Sequence, residues 1–254
     1  MKRRVPHKVK PNYINDVDWA DPLNKWLVHF WPFAERAIRI TVPAKDIIGG
    51  YDASTIGGGT TYPSPVITDK RHALSADGGD QLGTTAPPTY NNNFTVEFLF
   101  RERSISGFGT VISDSGNNGF FTSSNQILYY VGGSRAISAI TNGEWTHVMC
   151  TFTPNGVNAD IQMYVNGVAS GSTPNIAVAF KPTTLFGHGS EYLDADISYI
   201  KIYEGIKTPA QIRALSQNPW QTLPPIRQFI GIKAGVAPIG IEVFRRRMIM
   251  KKAA

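Results

Sequence analysis

The sequence predicts an all-β fold, a layered sandwich of antiparallel strands with one short helix near its end. Three observations carry this expectation: period-two alternation in several short runs, an Asn-Gly pair between two of them, and turn residues spread along the chain. Residues 143–171 show all three. Trp145, His147 and Met149 fall on one side of a strand, and Thr146, Val148, Cys150 and Phe152 on the other. Thr153-Pro154-Asn155-Gly156 reads as a break, because Pro fixes φ and Asn-Gly accepts positive φ. Ile161, Met163 and Val165 resume the alternation and end at Asn166-Gly167, the pair a type I′ hairpin turn favours, so a third strand follows.

Taken in order, residues 1–24 form a basic, Pro-punctuated arm. Lys25–Phe33 reads as a first strand with bulky residues on both faces, and Arg39–Val42 as a little more strand. Gly49–Pro65, rich in Gly, Ser, Thr and Tyr, reads as a loop. His72–Leu82 reads as a strand, a turn at Asp77-Gly78-Gly79 and a second strand. Phe94, Val96, Phe98 and Phe100 define an inward face, with Thr95, Glu97 and Arg101 outward. Burying each such aromatic stabilises by roughly 1.5–3 kcal/mol, so that face belongs in the core. Strands follow at 109–113, 119–122, 127–131 and 136–140, the last two around Gly132-Gly133, and later at 184–186 and 197–203. Thr208-Pro209-Ala210-Gln211 has the form of a helix capping box, and Asn218-Pro219 stops that helix. Phe229–Ile232 and Ile239–Phe244 read as short edge strands. The domain boundaries read from this are 1–24 for the arm, 25–223 for the sandwich and 224–254 for a basic extension.

The 254 residues are 42% hydrophobic and 17% charged, with 24 glycines and 17 prolines, which suits a folded protein of short strands and many turns. No apolar run approaches the length of about 18 residues that a membrane-spanning helix needs. The basic start lacks the apolar segment of a secretory leader. Cys150 is the sole cysteine, so no intrachain disulfide can form and a reducing cytosol is the expected place of synthesis. Charge is unevenly placed. Lys2, Arg3, Arg4, Lys8 and Lys10 open the chain, and Arg227, Lys233, Arg245, Arg246, Arg247, Lys251 and Lys252 stand against Glu242 at its close. These ends carry more than the whole net charge of +6, so the body between them is mildly acidic. Such ends suit an acidic partner surface.

Six stretches then stand out together: Leu27-Val28-His29-Phe30-Trp31-Pro32-Phe33, Ala73-Leu74-Ser75-Ala76-Asp77-Gly78, Phe94-Thr95-Val96-Glu97-Phe98, Gly143-Glu144-Trp145-Thr146-His147-Val148, Tyr164-Val165-Asn166-Gly167 and Ile197-Ser198-Tyr199-Ile200-Lys201-Ile202-Tyr203. In this order, over residues 25–216, they resemble the laminin G-like, concanavalin A-like jelly rolls. The resemblance implies a jelly-roll sandwich with a late helix. The family's last strand usually carries an Asp-Glu pair where this chain has Ser198-Tyr199, which sets an acid-dependent calcium or sugar role there in doubt. Asp21-Pro22-Leu23, and Leu215-Ser216-Gln217-Asn218-Pro219-Trp220 with an arginine-rich close, are similar to the flanks of such domains in bacteriophage structural proteins.

Glycanases of the superfamily place carboxylates as E-x-D-x-E on one strand, at the separation a retaining mechanism needs. No such triplet occurs, and Glu97 and Glu102, five apart, face opposite sides of an unbroken strand. His147 reads as a hydrogen-bonded structural histidine. Asp77 with Asp80, or Asp194 with Asp196, offers oxygens to calcium, though Asp in turns also bonds its own backbone. Tyr129, Tyr130 and Tyr192 are candidates for a sugar platform. No cofactor is expected, and neither nucleic acid nor a membrane is an expected partner. The resulting expectation is a non-enzymatic bacteriophage virion structural protein, made in the host cytoplasm. It would decorate or stabilise a capsid in many copies, holding major capsid or tail subunits through Arg3, Arg4, Trp220, Arg245, Arg246 and Arg247. A glycan-binding adhesion module is the alternative, and a polysaccharide hydrolase the third class.

Overall fold

In the computed structural model the alternation resolves, among the described residues, into seventeen strands and one α-helix. The structure describes residues 17–33, 44–55, 64–68, 71–84, 87–103, 108–116 and 118–219. All lie within one compact unit, Met1–Pro224; the second unit, Pro225–Ala254, falls outside them. The strands expected at Arg39–Val42, Phe229–Ile232 and Ile239–Phe244 also lie outside the described residues.

The strands are β1 (Leu27–Trp31), β2 (Ala53–Thr55), β3 (Ser64–Thr68), β4 (Arg71–Asp77), β5 (Leu82–Thr84) and β6 (Phe94–Glu102). Next come β7 (Phe108–Ser113), β8 (Gly119–Ser123), β9 (Gln126–Val131), β10 (Ser134–Ala139), β11 (Thr146–Asn155), β12 (Asn158–Val165) and β13 (Val168–Ile176). The short β14 (Thr184–Leu185), β15 (Gly187–His188) and β16 (Glu191–Tyr192) lead into the long β17 (Asp194–Tyr203), and α1 (Pro209–Gln217) follows. One sheet runs β13-β12-β11-β6-β17-β4-β3, with β1 also on β17. The second runs β10-β9-β8-β7-β14-β5-β2, and β15 and β16 form a separate hairpin. β4 pairs with the first half of β17 and β1 with the second, so two strands share one edge of it.

Between the sheets lies the main core. β6 gives it Phe94, Val96, Phe98 and Phe100, and β11 gives Val148, Cys150 and Phe152. From the facing sheet come Phe120, Ile127 and Tyr129. A second apolar cluster covers the other side of the first sheet, where Leu99, Met149, Tyr199 and Tyr203 meet Ile212 and Leu215 of α1 and Val17. The described residues therefore form three layers, and the outward side of the first sheet is roofed. Thr208 caps α1 by accepting the Gln211 N–H, and the Gln211 side chain accepts the Thr208 N–H in return. Val17–Asn24, which the sequence reading leaves in the arm, belongs to this roof. There Asp21 caps a 3₁₀ turn over Pro22–Asn24.

The Asn166-Gly167 turn forms as expected, with φ of 51° and 80° and Val165 opposite Val168. Two further sequence readings differ from the structure. β11 does not break at Pro154 but continues to Asn155; β6 pairs with it only as far as Phe152, so the missing Pro154 N–H faces no partner on that side. The Gly49–Pro65 stretch is not one loop, because it contains β2 and the start of β3. The strands expected on either side of Asp77-Gly78-Gly79 form as β4 and β5, in different sheets. On the far side the two sheets meet edge to edge. Ser138 Oγ donates to Ser170 Oγ at 2.6 Å, and any Cβ on Gly171 would collide with the Ile137 carbonyl. Glycine there lets β13 lie against β10.

Candidate functional site

Strict alternation on β8, β9 and β10 sends Phe120, Ile127, Tyr129 and Ala136 into the core and Phe121, Leu128, Tyr130 and Arg135 to the outer face of the second sheet. Register sets these four in a block, because Phe121 lies opposite Leu128 and Tyr130 opposite Arg135. Two tight turns fix that register. Gly132-Gly133 is one; the other is Ser124-Asn125, both residues at positive φ (51° and 63°) without a glycine. With Phe108 from β7 and Glu191 from β16, the four line a groove of about 200 Å³.

The groove has an aromatic floor and polar rims. Phe121 and Tyr130 meet edge to face, their centroids 6.4 Å apart at 88°. The Arg135 guanidinium lies 5.5 Å from the Tyr130 ring centroid, a cation–π contact. The backbone of Arg135 is held in turn, since Thr173 Oγ1 donates to its carbonyl at 2.5 Å. Phe108 is 44% exposed, so the floor reaches solvent. Such a surface suits a ligand that has an apolar face and hydroxyls at its edge: the rings take the face, Arg135 donates and Glu191 accepts.

The sequence-derived candidates divide. Tyr130 lines the groove, but its neighbour Tyr129 points inward, fully buried against Phe120 (4.9 Å) and Phe152 (4.8 Å). Tyr192 is half-buried beside Glu191. Asp80 is buried and accepts the Asp77 N–H at 2.9 Å. Asp194 and Asp196 are engaged by arginines: Arg103 bridges both, at 2.9 and 2.6 Å, and Arg101 reaches Asp196 at 2.6 Å. Among the described residues no group of three His, Cys, Asp or Glu side chains is gathered for a metal. Arg3, Arg4, Trp220, Arg245, Arg246 and Arg247 lie outside the described residues. Sequence reasoning did not single out Phe108, Phe121, Leu128, Arg135 or Glu191, and the one signal for them was the alternation that exposed Tyr130.

Glu97 is the clearest correction, because it faces away from the main core but not into solvent. The roof buries it completely. Tyr199 Oη and Tyr203 Oη each donate to it at 2.6 Å, Lys201 Nζ at 2.9 Å, and His147 Nε2 lies 3.1 Å away. Burial alone would raise its carboxyl, but the Lys201 charge and the His147 and Tyr199 contacts outweigh that and hold it far below the usual carboxylate range. Glu102 is also buried, on the opposite face near Thr122, and desolvation raises its pKa. The Glu97 cluster also fastens the chain: Lys201 Nζ donates to the Pro219 carbonyl at 3.1 Å. Nearby, Lys207 Nζ holds the Leu23 and Lys25 carbonyls at 2.8 Å each, and burial pushes its ammonium down to about 8.

A family model described as the concanavalin A-like lectin/glucanases superfamily matches residues 76–213, more than half of the chain. The chain belongs to this superfamily. No curated protein sequence matches it. Among solved structures it is similar to domain 4 of AbnA, a GH43 extracellular arabinanase from Geobacillus stearothermophilus solved with arabinotriose. That match has 17% identity and a TM-score of 0.52, over 75% of this chain and 98% of that one. The binding domain of Paraclostridial Mosquitocidal Protein 1 matches at 14% identity and a TM-score of 0.56, over 76% of this chain and 52% of that one. Trypanosoma rangeli sialidase matches at 13% and 0.52, over 76% and 33%. At these identities the likeness is one of fold, and the chain spans about half of the mosquitocidal domain and a third of the sialidase.

Proposed function

We propose that this superfamily member is a non-catalytic glycan-binding module whose site is the groove on its second sheet. One observation carries the reading: exposed Phe108, half-buried Tyr130 and, beneath them, buried Phe121 form an aromatic floor between Arg135 and Glu191. Rings cover the apolar face of a sugar, while the rim groups meet its hydroxyls. The AbnA domain, solved with arabinotriose, supports the assignment of a saccharide to this fold. A single carboxylate lines the groove among the described residues, which favours binding over a two-carboxylate hydrolysis.

Tyr130→Ala is expected to weaken glycan binding by about tenfold or more, since a half-buried aromatic anchor carries a large share of such contacts, and to leave stability nearly unchanged. Glycan-array and calorimetric titrations of the full chain check this, with reducing-end release followed in parallel. Wild-type affinity in the variant, or turnover of a bound polysaccharide, would overturn the reading.

A second reading, attachment to a larger assembly through the two basic segments, is favoured by where the described chain enters and leaves. Val17 and Pro219 both sit on the roof, on the side of the sandwich away from the groove, with Trp19 and Trp26 exposed near the entry. The flanking motifs that resemble bacteriophage structural proteins make a virion the assembly to test. Reversing Arg3, Arg4, Arg245, Arg246 and Arg247 to Glu in the full chain should abolish co-sedimentation with particles lacking this protein. If the unaltered chain does not sediment with them, the virion reading fails and the groove reading is untouched.

A further inference from the structure

The charges at the groove's two ends are opposite, and among the described residues neither is neutralised. Arg135 makes no ion pair there, and its guanidinium lies against the Tyr130 ring. Glu191 likewise has no cationic partner among the described residues. The two do not pair with each other, and they come from different strands, Arg135 from β10 and Glu191 from β16, which packs against β7.

A groove so built has a polarity. Its cationic end is a guanidinium 5.5 Å from the Tyr130 ring centroid, and a guanidinium is the group that can receive a carboxylate through two parallel hydrogen bonds. Its other end repels a carboxylate and accepts from hydroxyls. The backbone at the cationic end is also pinned. Thr173 holds the Arg135 carbonyl, and Gly171 lets β13 press against β10 next to it, so the strand carrying the guanidinium is fixed before any ligand arrives.

Resting on the glycan reading, we propose that the groove selects carboxylated oligosaccharides, with the acidic sugar at Arg135 and a neutral, hydroxyl-bearing sugar at Glu191. The test is calorimetric titration of the full chain with uronate- and sialate-terminated oligosaccharides and with their methyl esters, which keep the ring and remove the charge. At least one acid is expected to bind about tenfold or more tightly than its ester, by a margin that narrows as salt is raised. Arg135→Gln should bind acid and ester alike, having lost the acid's advantage; a merely structural role for Arg135 would weaken both in proportion and keep the preference. Glu191→Gln should leave the preference for acid in place. Equal or tighter binding of every ester, binding confined to neutral glycans, or a preference that survives Arg135→Gln would overturn the proposal. If those neutral glycans still depend on Tyr130, the glycan reading survives that failure; if no saccharide binds, both fall.

Discussion

Lys201→Met should lower the free energy of unfolding by about 3–5 kcal/mol, the cost of leaving a buried charge without its partner. Lys201 and Glu97 are both fully buried, 2.9 Å apart, beneath a roof built from α1 and Val17–Asn24. Methionine keeps most of the lysine's volume, so the loss is electrostatic rather than a cavity. It removes the ammonium hydrogen-bonded to Glu97 and strands the Pro219 carbonyl as well. The double variant Glu97→Gln/Lys201→Met should recover most of the loss, because a neutral acceptor still serves Tyr199 and Tyr203 without a charge to desolvate. The pH dependence has a definite sign. The folded Glu97 carboxyl titrates far below its unfolded value near 4.5, so its stabilisation is complete above that pH. It is lost progressively as pH falls from there toward the folded value. Urea denaturation between neutral pH and pH 3 measures both effects. A single-variant loss under about 1 kcal/mol, as for an exposed pair, would mean that water reaches the cluster and that the roof does not exclude it.

That cluster also marks where the sequence stops being legible. Period two located β6, β9, β10, β11 and β17 because each has one face in the main core, and Asn166-Gly167 set a register that the structure keeps. Alternation tells which residues share a face but not what lies over that face. Glu97 reads as an outward polar position, yet a roof assembled from distant segments encloses it with Lys201 and with His147, the hydrogen-bonded structural histidine that the sequence suggests. The same limit separates Tyr129 from Tyr130. As neighbours on a strand they must face opposite ways, and only the identity of the inward side makes one a core residue and the other a groove residue. The groove itself was less legible still. Phe121, Arg135 and Glu191 come together because β8, β9 and β10 stack in order and the β15–β16 hairpin folds back over β7, and no local motif encodes that convergence. The strands and turn read at His72–Leu82 do form, but the sequence did not say where they pair, β4 on β17 and β5 on β14.

Phe152→Ala is expected to cost about 3–5 kcal/mol, the other large effect, through a different mechanism. Phe152 is fully buried at the centre of an aromatic stack that ties the two sheets together. It lies parallel to Phe94 of its own sheet, centroids 4.0 Å apart, and meets Tyr129 and Phe120 of the other sheet at 4.8 and 6.4 Å. Truncation removes the transfer free energy of the ring and leaves a cavity walled by side chains from both sheets, which cannot collapse without moving strands. For a domain of this size the loss amounts to a fall in Tm of roughly 6–20 °C. Phe152→Leu, which refills most of the space, should cost less than half as much. The backbone of β9 is held by six register pairs to β10 and by five to β8. Tyr130 should therefore keep its place, and glycan affinity measured well below the lowered Tm should stay close to that of the parent chain. A Phe152→Ala variant that unfolds normally but has lost the groove's affinity would show that β9 is positioned by the inter-sheet stack rather than by its hairpin partners. One with an unchanged Tm would mean that the aromatic stack does not hold the two sheets together.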